Sequence, residues 1–396
     1  MMRPLLCALL LLMPLSAQAL SIEGEVRWQG QLTQKETVRV EPGATLIIAP
    51  GTTVTFTGGG LEVAGQLQAT RARLTGKNWE GIVLKGTDSK THLLDCTIEG
   101  AKTGIQVLGG APRLDGVRVT GNQVGMELRQ KTQTQISSCS FSGNAKVGLF
   151  VKDGSSPSVT KSRFEGNGKF GAYLFGSAPL EFSNNLFLNN ATGVMVTHFG
   201  SEPVLRNNRF ENNATAIQVD RAARPLLAGN TFSNNGTGIQ LSRRSDPKIE
   251  GNRLSGNQIG IFVSYSSYPQ IQSNDLDGNA KALVLDHQSS SWDEANGAAA
   301  REEEASRGAF GKTPRQSVSE SDRRPRAMNA TVEATGNWWG HKGTQELVRI
   351  GPTGNPSFIV DGRDNPTFTD NGVAYPLDKV RFSPWSSGPT TKGTIK

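Results

Sequence analysis

Five residues with chemistry to offer recur at one register of the chain. They are His198, Arg221, Arg243, Tyr265 and His287, at spacings of 23, 22, 22 and 22. Asp220 precedes Arg221, one period from both Thr197 and Ser242. Phe150, Tyr173 and Met195 share a second register, with Phe175 two residues beyond Tyr173. Aromatic faces stack on sugar rings, and guanidinium forks meet carboxylates or sulfates. A flat, extended, anionic sugar polymer suits both. If there is catalysis, the candidates are Asp220, Arg221 and Arg243. An arginine or lysine could abstract a proton in a β-elimination, with bound calcium acidifying it. A carboxylate beside arginines has its charged form favoured, which suits a structural ion pair or a metal ligand better than a general acid. Asp153, Asp220 and Asp286 lie two or more periods apart, so they make no retaining or inverting carboxylate pair. His198 and His287 stand four periods apart, and His92 and His341 lie elsewhere, so no metal site is expected.

The elements that must position these residues are set by a repeat. An apolar residue after a small Gly or Ala recurs at Ile82, Ile105, Met126, Leu149, Ala172, Val194, Ile217, Ile239, Ile261 and Leu283. Val38 and Leu61 extend the column backward. A unit this short buries its side chains only by stacking on its neighbours. Within one unit Ile217 and Val219 point in, while Gln218 and Asp220 point out. Period two means strand. Gly, Asn, Ser and Thr fill the corners, as turns require. The leucine pattern and helix of a leucine-rich repeat are absent. Each strand therefore pairs in parallel with its counterpart, about 4.8 Å above and below.

Other columns follow. Ile98, Val119, Phe141, Phe164, Phe187, Phe210, Phe232, Leu254 and Leu276 form an inward column. Asn185, Asn208, Asn230, Asn252, Asn274 and Asn337 form a corner ladder whose amides bond along the axis. Upstream that column reads Cys96, Val117, Cys139 and Ser162. Cys96 and Cys139 are then two rungs apart, near 10 Å at about 4.8 Å per rung, beyond disulfide reach. Two buried free thiols are expected.

Met1 to Ala19 reads as a secretory signal: Arg3, an apolar Leu5–Leu12 run too short to span a bilayer, and an Ala17-Gln18-Ala19 cleavage site. An exported location, periplasmic or extracellular, follows as an expectation. No later stretch reads as transmembrane. The formal charge is +7. A basic exported chain can meet anionic glycans, lipid head groups or a cell wall. Nucleic acid is not expected, for want of a basic cluster interleaved with stacking aromatics.

The expected organisation is a signal peptide (1–19), an N-terminal cap with first turns (20–80), repeats (81–287), a disordered insertion (288–328), a last turn (329–340) and a C-terminal cap and tail (341–396). The insertion carries Glu302–Glu304 and Arg323, Arg324 and Arg326, with almost no large apolar residues. In the last turn Trp339 falls in the inward column and Trp338 covers the end. Trp385 is the expected anchor of the tail.

The unit NNRFENNATAIQV (207–219) resembles the parallel β-helix repeat of the pectate-lyase-like superfold. VEPGATLIIAPGTTVTF (40–56) resembles the opening turns of exported bacterial β-helix proteins, and GNWWG (336–340) is similar to the closing turn of NosD-type periplasmic β-helices. The resemblance implies an all-β, right-handed parallel β-helix of about 12 to 13 turns with terminal caps. Superfold members include lyases, hydrolases, epimerases, adhesins and non-enzymatic proteins. It implies a substrate lying along the Gly-Ile-x-Val strand. The lyases' calcium-binding Asp cluster, the polygalacturonases' Asp pair with Gly-His-Gly and the epimerases' Asp-Pro-His-Asp run do not occur here.

The expected function is binding of an extended polysaccharide or cell-envelope polymer along this face without catalysis, through Phe150, Tyr173, Phe175, Met195, His198, Arg221, Arg243 and Tyr265. The alternatives are a polysaccharide lyase or other carbohydrate-active enzyme, with calcium as the cofactor of a lyase, and a structural or assembly protein. The apolar patch is either a docking surface or lies under the insertion or the C-terminal tail.

Overall fold

Short strands that alternate apolar and polar residues, separated by tight corners, wind into a coil of about 12 turns. The computed structural model describes residues 20–297, 299 and 328–391. The strands stack into three long parallel sheets of 14, 14 and 11 strands. Each strand pairs with the one a full turn away, so Ile217 lies between Val194 and Ile239. The signal-like residues 1–19 lie outside the described residues.

The core is one continuous apolar column within the coil. Phe141, Phe164, Phe187, Phe210 and Phe232 stack with centroids 4.9, 4.6, 4.9 and 4.9 Å apart. Each such pair contributes about 0.5–1.5 kcal/mol beyond its buried area. The Asn185–Asn337 ladder is present, each Nδ2 donating to the next Oδ1 at 3.0–3.1 Å. Upstream the hydroxyl of Ser162 takes over, accepting from the Cys139 N–H at 3.1 Å. Cys96 and Cys139 are buried and free, and burial pushes the Cys139 thiol up to about 12.

A second ladder is longer. Asn122, Asn144, Asn167, Asn190, Asn213, Asn235, Asn257 and Asn279 are joined Nδ2 to Oδ1 at 2.8–3.1 Å. Each Oδ1 also accepts the backbone N–H of the preceding rung. A coil corner otherwise leaves buried backbone donors unpaired. The Asn-x-Ser/Thr triplets at Asn190, Asn213 and Asn235 belong to this ladder, with their side chains buried.

The departure from the coil comes later than residue 288. Gln288 Oε1 accepts from Ser267 N at 2.9 Å, and helix α1 (Ser290–Asn296) follows, capped by Ser289. Buried Asp378 fixes its start, accepting from Ser290 N at 3.0 Å and from Tyr268 Oη at 2.8 Å. The charged core of the expected insertion, residues 300–327, lies outside the described residues.

The segment after 340 is more than a cap. Helix α2 (Gly340–Ile350) buries Leu347 over the end of the coil. Ile359–Val360 and Lys379–Arg381 then supply closing strands, the first on Leu283–Val284 and the second on Thr331–Glu333. Trp338 and Trp339 are both buried. Trp339 joins the core cluster, and Trp385 packs partly against it.

Candidate functional site

The outward side of the first 14-stranded sheet carries the apolar patch. Phe150 and Tyr173, adjacent in register, stack at 4.8 Å with an interplanar angle of 6°. Phe175 meets Tyr173 edge-on at 6.2 Å. Met195 follows Tyr173 in register. His198 leans on Phe175 at 4.1 Å. Phe150, Tyr173, Phe175, Met195 and His198 are all half-buried. Phe170 joins them, 5.0 Å from Tyr173. Its signal was the column Val124, Val147, Phe170 at the start of each strand, ahead of the Gly-Ile-x-Val positions.

Polar groups bound the patch. Upstream, the Lys152 ammonium sits 4.8 Å over the Phe150 ring and 2.7 Å from Glu127. Downstream lie Asp220, Arg221 and Arg243. Asp220 was expected to point out, yet only 4% of it is exposed. The strand ends at this residue, and the Arg243 guanidinium folds over its carboxylate with two donors, Nε at 2.6 Å and Nη2. That hydrogen bond, foremost, holds the Arg243 pKa above its ordinary value. Arg221 approaches Asp220 only to 3.9 Å, and 54% of its side chain is exposed. Thr197 and Ser264 are buried at the same strand-end position. Arg224 lies off this surface: its side chain is 16% exposed and faces buried Asp246 at 3.8 Å.

His198 Nε2 accepts from Arg221 Nη1 at 3.3 Å, with its Nδ1 3.2 Å from the Thr197 hydroxyl. Burial first, then the Arg221 charge, push its pKa below the ordinary histidine value. Burial raises the Tyr173 phenol.

His198, Arg221, Arg243, Tyr265 and His287 occupy one corner, with φ of 75°, 53°, 52°, 50° and 49°. Upstream that corner holds Gly86, Gly109, Gln130, Asp153 and Gly176, also left-handed. The conformation costs a side-chain-bearing residue about 1–2 kcal/mol. It also throws each side chain outward. Tyr265, 43% exposed, stacks on His287 at 5.2 Å, and His287 meets Phe368 at 5.0 Å.

Phe368 belongs to an antiparallel hairpin, Thr367–Asp370 with Val373–Pro376. Trp292 of α1 ties it down, donating to Asp370 at 2.7 Å. Among the described residues, the C-terminal segment therefore reaches the Tyr265 end of the face and leaves Phe150–Met195 uncovered. Phe368 and Tyr375, 5.9 Å apart, carry no repeat and had no signal in the sequence. No group of three His, Cys, Asp or Glu among the described residues is placed to hold a metal ion, and no described helix is long and apolar enough to cross a membrane.

Two overlapping stretches, residues 59–203 and 197–296, match the family model described as right handed beta helix region. No curated protein sequence matches significantly. Among solved structures, the chain is similar to the Azotobacter vinelandii mannuronan C-5 epimerase AlgE4 A-module. The identity is 17%, over 65% of this chain and 88% of that one, with a TM-score of 0.37. That likeness concerns fold alone.

Proposed function

Because the chain belongs to the right-handed β-helix family, we propose that it is an exported protein that binds an extended polysaccharide or cell-envelope polymer along its outward sheet face, without catalysis. The observation that carries this is the half-buried stack of Phe150 and Tyr173, ringed by Phe170, Phe175 and Met195 and followed by Arg221. Ring faces of that kind on a coil surface offer sugar rings a stacking platform, and an exposed guanidinium offers an acidic group a fork. Export rests on the Met1–Ala19 pattern.

Both carboxylate oxygens of Asp220 accept from Arg243, which argues against Asp220 as an acid or base. A lyase working with calcium remains the second reading, because Arg221 is exposed and only weakly paired. Affinity electrophoresis through acidic and neutral polysaccharides tests the first: retardation lost in Tyr173→Ala supports it, and no retardation in any gel sinks it. Absorbance from unsaturated products, formed with calcium and lost in Arg221→Ala, would replace it with the lyase. A single dominant protein in pull-downs, without glycan retention, would favour an assembly role.

A further inference from the structure

Building on that reading, we infer that the left-handed corner ridge is a second part of the same binding strip, and that its ligand is an acidic sugar chain long enough to span from the Tyr173–Phe175 patch to Tyr265. Three observations converge. First, the corners of successive turns present His198, Arg221, Arg243, Tyr265 and His287 where glycine is the relaxed choice. Left-handed corners recur throughout the coil, but in this column they set five long side chains in one row, with the Arg221 side chain 54% and Tyr265 43% exposed. Second, the ridge is aromatic at both ends and cationic between them. His198 rests on Phe175, and Tyr265 on His287. Third, the strip ends against an aromatic wall, Phe368 and Tyr375, held by the Trp292–Asp370 bond.

The charge places the acidic groups. Between the aromatic ends, Asp220 is the carboxylate paired with Arg221 and Arg243 among the described residues. At the far end Asp286 is 54% exposed and lies 2.8 Å from His287 Nδ1, so a ligand carboxylate belongs at Arg221 and an uncharged ring face at Tyr265. Phe175 and the Tyr265 corner are four rungs apart in register, about 19 Å at ~4.8 Å per rung. Engaging the second station becomes intramolecular once the first is bound, so affinity steps up at the length that bridges them.

Calorimetric titration with size-fractionated oligogalacturonates and their methyl esters tests this. The full chain should gain on the order of tenfold in affinity once the oligomer exceeds about 19 Å, then level off. Tyr265→Ala should abolish that step. Tyr173→Ala should weaken every length, and Arg221→Gln should weaken the acids but not the esters. Circular dichroism of each variant verifies the fold. A step that survives Tyr265→Ala, with Tyr173→Ala still harmful, overturns the second station and leaves the patch reading standing. Binding indifferent to Tyr173→Ala, or no binding at any length, overturns both.

Discussion

Replacing Asn213 by alanine isolates what one rung of the longer asparagine ladder contributes. Its Oδ1 accepts from Asn190 N at 2.9 Å and from Asn190 Nδ2 at 3.1 Å. Its Nδ2 donates to Asn235 Oδ1 at 3.0 Å, Phe187 O at 3.1 Å and Glu211 O at 3.1 Å. Some partners keep other bonds. Asn190 Nδ2 still reaches Phe164 O and Leu188 O, and Asn235 Oδ1 still accepts from the residue-213 backbone. The Asn190 N–H loses its acceptor, at about 1–3 kcal/mol for an orphaned buried donor. With weakened bonding at the deprived carbonyls, the total is about 2–4 kcal/mol. Asn279 ends the ladder and is only half-buried, so water replaces what alanine removes and the loss there is about 1 kcal/mol. Reversible urea unfolding followed by circular dichroism measures both. A loss under about 0.5 kcal/mol at Asn213, or equal losses at the two sites, would refute the ladder as a source of stability.

Asp220→Asn should cost about 1–3 kcal/mol, because the carboxylate is buried while Arg221 and Arg243 reach solvent. Binding to an acidic polymer should hold or strengthen in that variant, whereas a catalytic Asp220 would show lost turnover. Lowered in the fold, the His198 pKa gives a stability contribution present above the unfolded value of 6.5 and lost as pH falls through the folded value. Denaturation midpoints should therefore decline on acidification below about 6.5, and less steeply in His198→Gln. Cys96 and Cys139 should resist Ellman's reagent in the native protein and both react in denaturant; rapid native labelling would contradict their burial. Expression in a glycosylating host should leave Asn190, Asn213 and Asn235 bare once folded, as mass spectrometry of the peptides would read.

The coil was legible because its physics repeats. One apolar pair per turn, seen a dozen times, overrides the ambiguity of any three-residue strand. The same reasoning placed Phe150, Tyr173, Phe175, Met195 and the corner residues on one side. At Asp220 alternation assigned only a direction; the ion pair expected with the neighbouring arginines is present, and Arg243, one turn on, buries the carboxylate. The Asn122–Asn279 ladder was present in the spacing, yet those residues passed as ordinary turn formers, since corners and ladders use the same amide. Closing strands Ile359–Val360 and Lys379–Arg381 offered no cue. Each is two or three residues long and joins partners dozens of residues away. Left-handed Arg221, Arg243 and Tyr265 were equally hidden, because local preference would have put glycine there.

The last rung has a consequence for biosynthesis. Thr331–Glu333 is sealed by Lys379–Arg381, and Thr390 locks onto Asp275 beyond it. A nascent chain can wind most of its coil as it emerges, but the terminal hydrogen-bonding row stays bare until nearly the whole polypeptide has been released. A truncation before residue 379 would leave a sticky template on every molecule. Such products should grow end-on into filaments, which electron microscopy would see at once.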